Sequence, residues 1–207
     1  MDGDRIFAAE NFSFERTCII GNSGKLKNQN HGKKIDSYDC VVRLNAAPVS
    51  GFEAHVGSKT TFRVVNILLQ KGATLPYTDT PANWMSEIRD QNIILIPSKK
   101  RTERVAKHML DTSNIIRWLT PPCKEWIREE VKHDLGEFCS TGFFAVLLFS
   151  CISDVVDVYG FGFHQEKLSE RHYWETWTDS NDSSHKWNKE KEFMNSWDEK
   201  YDYFNII

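Results

Sequence analysis

Residues 18–26 read CIIGNSGKL, an apolar run that stops at a small polar loop. The first three residues are typical of the end of a buried strand, and the two glycines let the following backbone turn tightly and approach a ligand. Asn22 and Ser23 add polar groups to that loop. Strands of α/β proteins that end in such a loop commonly bind nucleotides, but a lone GxxG is more often an ordinary turn.

Similar apolar, β-rich runs recur along the chain and alternate with helix-like stretches. This alternation predicts a mostly parallel, twisted sheet flanked by helices, and 207 residues suffice for one domain with a sizeable core. We therefore expect a single-domain α/β fold. The predicted strands are 17–20, 40–44, 61–66, 93–96, 114–118 and 155–159, and the predicted helices are 82–90, 100–110, 122–134 and 142–152.

The composition, with 40% hydrophobic and 27% charged residues, is typical of a soluble globular protein. A formal net charge of -3 leaves no overall basic field, which argues against nucleic acid as a partner. The longest apolar run, residues 143–151, is about half of what a bilayer span needs, and residues 1–16 lack the pattern of a signal peptide. We expect no membrane segment, and a lead segment at 1–16 before one domain at 17–207.

The five cysteines are widely spaced and include no CxxC pair, which argues against a zinc site and against a scaffold built on disulfides. Two acidic pairs, Asp2 with Asp4 and Asp179 with Asp182, could ligate a divalent ion as the DxD motif of sugar-nucleotide enzymes does. Neither pair follows a strand end. We interpret both as solvated loops and predict no metal site.

A second candidate site is Cys-Ser-Thr-Gly at residues 139–142, directly before the apolar run FFAVLLFS. Ser140 or Thr141 is placed as the N-cap of that helix, and the free backbone N–H groups of a helix start attract anions. An N-cap without a ligand is the more common outcome for an isolated STG. The last predicted strand ends at Gly160 and Gly162, which suit either a ligand or a tight turn.

Two histidines accompany a polar, aromatic segment, residues 164–184, that we expect to form a long loop after the last strand. His172 lies within this segment and His185 follows it. An imidazole can gain and lose a proton at physiological pH, although most surface histidines are simply solvated. We expect His185 to precede a helix that contains Glu190.

Taken in order, these stretches resemble the four sialylmotifs of eukaryotic-type sialyltransferases, glycosyltransferase family 29. Residues 21–61, GNSGKLKNQNHGKKIDSYDCVVRLNAAPVSGFEAHVGSKTT, are similar to the large motif, and residues 140–162 are similar to the small motif. HYWE at 172–175 and HKWNKE at 185–190 resemble the third and the very small motifs. Among the subfamilies, the stretches SGFEAHVGSKTT and HYWE are most similar to those of the enzymes that form α2,3 linkages to galactose.

The resemblance implies a Rossmann-like fold of the GT-A variant type and an inverting enzyme. Its donor would be CMP-sialic acid, and its acceptor a terminal galactose or related sugar of a glycoprotein or glycolipid. His185 is implied as the general base and His172 as the histidine that meets the CMP phosphate. No metal or other cofactor is implied, because a helix N-terminus and a histidine would stabilise the leaving phosphate. The implied donor-binding residues are Asn22, Ser23, Asn45, Ser140, Thr141, Gly142 and Gly162, and the implied supporting residues are Tyr173, Glu175 and Glu190.

The chain departs from the family pattern at several positions. The family's paired cysteines fall on Thr17 and Ser153, whereas the nearest cysteines here are Cys18 and Cys151. The resemblance implies the Golgi lumen, but the displaced cysteines and the lack of an anchor or signal leave a cytosolic or soluble form open. The residues before STG and after KTT also differ from the family pattern, which leaves the identity of the acceptor open.

Two other functions fit parts of the sequence. The altered acceptor positions suit a catalytically weak relative that binds a cytidine nucleotide or a glycan, although both histidines are retained. An unrelated nucleotide-binding oxidoreductase is disfavoured, because no GxGxxG with a downstream acidic residue is present.

Overall fold

The computed structural model describes residues 12–65, 91–95, 114–117, 139–162, 172–174 and 186–207. The strands in these ranges are β1 (Phe14–Ile20), β2 (Cys40–Leu44), β3 (Phe62–Val65), β4 (Asn92–Leu95), β5 (Asn114–Arg117), β6 (Ser153–Tyr159) and β7 (Phe204–Ile206). They form one sheet in the order β5-β4-β3-β2-β1-β6-β7, and every neighbouring pair is parallel. The described helices are α1 (Gly32–Asp36), α2 (Glu53–Val56), α3 (Thr141–Phe149) and α4 (Trp187–Lys200), with a 3-10 helix at Gly24–Asn28.

The predicted α/β architecture is confirmed, and all six predicted strands are present. β1 and β6 begin earlier than predicted, because Phe14 N–H donates to Ile152 O at 3.0 Å and extends their ladder. The predicted helix 142–152 is α3, which ends at Phe149. The sequence does not predict β7, whose three residues are too few for a periodic pattern. The predicted helices 82–90, 100–110 and 122–134 lie outside the described residues.

The central strands are buried on both faces because helices cover both sides of the sheet. All five residues of β2 are buried, and so are all four of β3. Apart from Arg43 and Arg63, the residues of these two strands are apolar, as is typical of parallel strands covered on both faces. On one face the sheet is covered by the 3-10 helix, α1 and α2, which contribute Leu26, Ile35 and Val56 to a cluster with Cys18 and Ile20.

The other face is covered by α3 and then by α4. All nine residues of α3 are buried, and it packs against β1, β2, β3 and β6. Its outer side meets α4, where the Phe143 ring centroid lies 6.0 Å from that of Phe193 and 6.4 Å from that of Trp197. A helix that is apolar all round requires cover on both sides, which α4 supplies. None of the helices in the described ranges is long and apolar enough to cross a membrane.

Candidate functional site

The sheet has a topological switch point beside β1. From β1 the chain runs through β2, β3, β4 and β5 to one edge, and it then returns to the other side of β1 with β6. Parallel α/β sheets bind ligands where the order reverses, outside the carboxyl ends of the strands. Asn22 and Ser23 follow β1, Asn45 follows β2 and Gly162 follows β6. The structure therefore brings these four predicted residues to one end of neighbouring strands.

The loops that follow β1 and β6 pack directly on each other. Gly21 N–H donates to Tyr159 O at 2.7 Å, and Ser23 N–H donates to Gly160 O at 3.1 Å. A Cβ atom on Gly21 would lie 2.3 Å from Gly160 O, and one on Gly162 would lie 2.6 Å from Ser23 Oγ. Gly21 therefore requires glycine, because the contact is with backbone, whereas a side chain at position 162 would displace the Ser23 hydroxyl. The close approach that the sequence attributes to a ligand at Gly21 is made to the neighbouring loop.

Asn45 ends β2 in the left-handed region, with φ of 52°. Its backbone N–H donates to Val64 O at 2.8 Å, which keeps the residue attached to β3. Asparagine is one of the few residue types that tolerate this conformation, and non-glycine residues held in it are concentrated at functional sites. The backbone of Asn45 thus supports its predicted importance independently of any resemblance.

The described part of the third motif, residues 172–174, ties the β1 loop to the turn after β2. Tyr173 N–H donates to Asn22 O at 3.0 Å, and the Tyr173 hydroxyl donates to Pro48 O. The Tyr173 ring is fully buried and packs edge-on against Phe52, with 5.1 Å between centroids. Burial raises the pKa of Tyr173 to about 12, so the phenol remains a hydrogen-bond donor at neutral pH.

His172 lies flat on the indole of Trp174, with ring centroids 4.5 Å apart and ring planes 2° from parallel. Two buried polar atoms of this region, Trp174 Nε1 and Asn22 Oδ1, have no hydrogen-bond partner within the structure as described. Buried polar atoms are normally paired, so one open donor and one open acceptor indicate a place for a polar ligand.

The N-terminus of α3 lies at the same end of the sheet. Ser140, one of the two predicted candidates, is the N-cap, and its Oγ accepts a hydrogen bond from Phe143 N–H at 3.1 Å. A Cβ atom on Gly142 would lie 2.9 Å from the Phe161 ring and 3.4 Å from Leu44 Cδ1. The first turn of α3 is therefore adjacent to the ends of β2 and β6.

The carboxylate of Glu190 is bound at the start of α3. Ser140 donates to it twice, from the backbone N–H to Oε1 and from the hydroxyl to Oε2, both at 2.6 Å. Glu190 lies in the first turn of α4, as expected, and is only 2% exposed. A carboxylate at a helix N-terminus offsets part of the helix dipole. The N-terminus of α3 therefore attracts an added anion less strongly than the sequence alone predicts.

His185 and Glu175 lie outside the described residues, as do both acidic pairs. α4 begins at Trp187, two residues after His185. In the ranges that the structure describes, no group of three or more His, Cys, Asp or Glu side chains is arranged to hold a metal ion. The placement of His185 at the site remains a prediction from the sequence.

The chain matches the family model described as glycosyltransferase family 29 (sialyltransferase) over residues 5–200. It belongs to this family. Its resemblance to the sialyltransferases is thereby confirmed. The fold is confirmed by two solved structures, described as a mammalian sialyltransferase alone and in complex with Gal-beta-1-3GalNAc-ortho-nitrophenol. The first has a TM-score of 0.63 at 25% identity and covers 94% of this chain and 69% of its own. The complex has a TM-score of 0.65 at 24% identity and covers 96% and 71%.

Curated sialyltransferases match most of the chain. The CMP-N-acetylneuraminate-beta-galactosamide-alpha-2,3-sialyltransferase 1 of Sus scrofa is 33% identical over an alignment of 175 residues, and the match covers 79% of this chain and 48% of the pig protein. A CMP-N-acetylneuraminate-beta-1,4-galactoside alpha-2,3-sialyltransferase of Pan troglodytes is 54% identical over 57 residues, 28% of this chain and 15% of its own length. These names confirm the predicted likeness to α2,3 enzymes. This sialyltransferase chain spans about half the length of the curated relatives that match most of it.

Sequence reasoning missed two side chains of this candidate site. Trp174 belongs to HYWE, and its place two residues after a predicted functional histidine is a signal that could identify it. Arg63 has no local signal, because its guanidinium bonds to the turn after β2, which is distant in sequence. Tyr173 was predicted as a supporting residue, and the structure adds its two backbone partners.

Proposed function

We propose that this protein is an inverting glycosyltransferase that moves sialic acid from CMP-sialic acid to a terminal galactose or related sugar, in α2,3 linkage. The observation that carries the proposal is the convergence of Asn22, Asn45, Gly162, His172 and the start of α3 at the switch point of the sheet. Nucleotide donors bind at this place in open α/β sheets. The names of the matching relatives support the donor and the linkage.

In the proposed reaction, His185 takes the proton of the acceptor hydroxyl as that oxygen attacks the anomeric carbon of sialic acid. The bond from this carbon to the CMP phosphate oxygen breaks, and its electron pair leaves with CMP. Attack opposite the leaving group inverts the configuration. A positioned base and a charge-stabilising donor are each effective in such a step.

Charge on the departing phosphate is proposed to be balanced mainly by His172. The Trp174 stack fixes the plane of the His172 ring, so the imidazole has little orientational freedom to lose on binding. Thr141 and Gly142 would add backbone N–H groups, whereas both donors of Ser140 bond to Glu190. We therefore assign Ser140 to holding the start of α3, and Ser23, Thr141, Gly142 and Gly162 to the donor pocket. No metal takes part in this proposal.

The acceptor in this proposal is a glycan of a glycoprotein or glycolipid. The solved relative bound to Gal-beta-1-3GalNAc-ortho-nitrophenol supports a disaccharide ending in galactose as the first acceptor to test. Tyr173, Glu175 and Glu190 are proposed to support the site. The contacts of the Tyr173 hydroxyl with Pro48 O and of the Glu190 carboxylate with Ser140 support this assignment for two of the three.

The test is CMP release from CMP-sialic acid with a panel of galactose-terminated acceptors, with each product linkage determined by linkage-specific sialidases. We expect acceptor-dependent CMP release and an α2,3 product. An Asn45→Ala variant, which should bind CMP measurably but more weakly, is the comparison for the donor site. CMP binding by calorimetry without transfer would assign the protein to the catalytically weak binders, and neither binding nor transfer would refute the donor assignment.

A further inference from the structure

The turn after β2 is held by contacts at nearly every backbone oxygen. Asn45 has a left-handed backbone conformation. This conformation costs free energy, which contacts with the surrounding residues must offset. The oxygens of Asn45 and Ala47 accept hydrogen bonds from Arg63 Nη1 at 2.7 Å and 3.0 Å. The oxygen of Pro48 accepts from the Tyr173 hydroxyl. The conformation of Asn45 is thus imposed by side chains from other elements.

Arg63 has the geometry that this task needs. It lies on β3 and is 2% exposed, and its Nε donates to Gln91 Oε1 at 2.7 Å. The guanidinium is a rigid planar fork, so a bond at Nε aims Nη1 at a fixed point. One nitrogen can then donate to both carbonyl oxygens of the turn. A lysine has no such fork and donates from a flexible stem.

Burial of Arg63 is costly, which argues that its bonds serve more than packing. Arg43, 1% exposed, is its direct neighbour across β2 and β3. The two cations share one face of the sheet, because aligned residues of neighbouring strands point to the same side. Well-packed hydrophobic residues commonly stabilise a core as well as buried charges do. The arginine at position 63 is therefore best explained by the turn that it holds.

We infer that Arg63 is a positioning residue for the donor site: it holds the left-handed turn that presents Asn45 to the cytidine nucleotide, and does not itself touch the nucleotide. This inference rests on the proposed function, in which Asn45 binds the CMP part of the donor. Arg43 provides a matched comparison. Its guanidinium donates to the backbone oxygens of Val56, Gly57 and Lys59, which belong to another loop.

The first test compares Arg63→Lys and Arg63→Met with Arg43→Lys and Arg43→Met. CMP affinity is measured by calorimetry well below the melting temperature of each variant. Loss of a hydrogen bond to a charged group corresponds to roughly a tenfold or larger loss of affinity, which we expect for Arg63→Met, with a smaller loss for Arg63→Lys. The Arg43 variants should melt earlier but bind CMP within about twofold of the wild type. Equal loss of affinity in both pairs would overturn the inference.

The second test asks whether Arg63 acts through Asn45. In an Asn45→Ala background, Arg63→Lys should have little further effect on CMP affinity, since the side chain that it positions is gone. Additive effects would contradict the inference. Wild-type binding separates the two proposals: without CMP binding the proposed function fails, whereas wild-type binding with an unaffected Arg63→Met variant refutes only the role of Arg63.

Discussion

The side chain of Asn22, at the end of β1, has a buried polar atom that the turn itself does not satisfy. Its backbone oxygen accepts from Tyr173 N–H, but its side-chain oxygen is buried and has no hydrogen-bond partner in the described part of the protein. A buried acceptor left unpaired costs about 1–3 kcal/mol. An amino or hydroxyl group of a bound nucleotide would remove that cost, so the site is built to gain a donor when it fills.

The role of His185 as the proposed general base is testable by substitution. His185→Ala should lower turnover by roughly two to four orders of magnitude, the usual contribution of a positioned acid or base, and should leave CMP binding intact. Transfer is measured under saturating donor, and CMP affinity by calorimetry. His55→Ala is the control, because the His55 ring bonds to the backbone oxygen of Gln29 and has no role in the proposed reaction. Near-normal transfer by His185→Ala would exclude His185 as the base.

His172 is proposed to supply the charge that a divalent ion provides in other glycosyltransferases. The proposed reaction should therefore not require a metal ion. We expect transfer to be unchanged after exhaustive chelation and after addition of manganese or magnesium. Initial rates in the three conditions are compared with the same enzyme stock. Activity that disappears with chelator and returns with metal would contradict the prediction.

At the scale of elements, the Ser140–Glu190 contact joins α3 to α4. Glu190→Ala should lower the free energy of unfolding by about 1.5–3 kcal/mol, because it leaves the buried Ser140 N–H unpaired. It should also weaken CMP binding, since the first turn of α3 belongs to the proposed donor pocket. Urea unfolding and calorimetry measure the two effects.

The same helix offers a matched control for this prediction. Glu192 is two residues away, is exposed and pairs with Lys189 at 3.0 Å. Removal of a surface ion pair changes stability by about 0–1 kcal/mol, so Glu192→Ala should resemble the wild type in both measurements. If Glu190→Ala were as stable as Glu192→Ala, the α3–α4 contact would not hold the start of α3.

The sequence predicts elements well where a local pattern exists. The apolar runs of β2 and β6 and the STG before α3 each specify their element from neighbouring residues, and Ser140 is found as the predicted N-cap. The partner of that cap is Glu190, fifty residues further along the chain. Its contact with Ser140 depends on how α4 packs over α3, which no local pattern encodes.

The arrangement of Arg63 is unpredictable for the same reason. A cation within an apolar run is normally read as the exposed side of a strand, but both Arg43 and Arg63 are buried. Their bonds go to backbone oxygens of turns that only the sheet order brings near. The family motifs predict the donor residues, whereas the bonds of Arg63 to the turn after β2 are visible only in three dimensions.

At the scale of the whole molecule, the sheet separates the cysteines that might replace the family pair. Cys18 belongs to the apolar cluster beneath α1 and α2, whereas Cys151 packs against the cluster beneath α3. The two thiols therefore lie on opposite faces of the sheet.

A third cysteine, Cys139, has a thiol of low reactivity. Burial raises the pKa of Cys139 to about 12 with a further contribution from the Glu190 carboxylate, which keeps that thiol in its unreactive protonated form.

The positions that carry the family cysteines are occupied by a hydroxyl pair. Thr17 Oγ1 and Ser153 Oγ share a hydrogen bond of 2.7 Å and link β1 to β6 across 136 residues of chain. A hydrogen bond does not depend on redox conditions. We therefore predict that the protein folds with all five cysteines as free thiols.

Thiol counting on denatured, unreduced protein tests this prediction directly. Five free thiols are expected, and a Cys18–Cys151 bridge found by peptide mapping would contradict it. The double variant Thr17→Cys/Ser153→Cys extends the test, because side-chain atoms in hydrogen-bond contact come close to the spacing of a disulfide. This variant should oxidise to one bridge and gain at most about 5 kcal/mol of stability, since the bridge would close a long loop. Thr17→Cys alone is the control and should gain none. A double variant that stays reduced in oxidising buffer would show that β1 and β6 are not joined at these positions as the hydroxyl contact indicates.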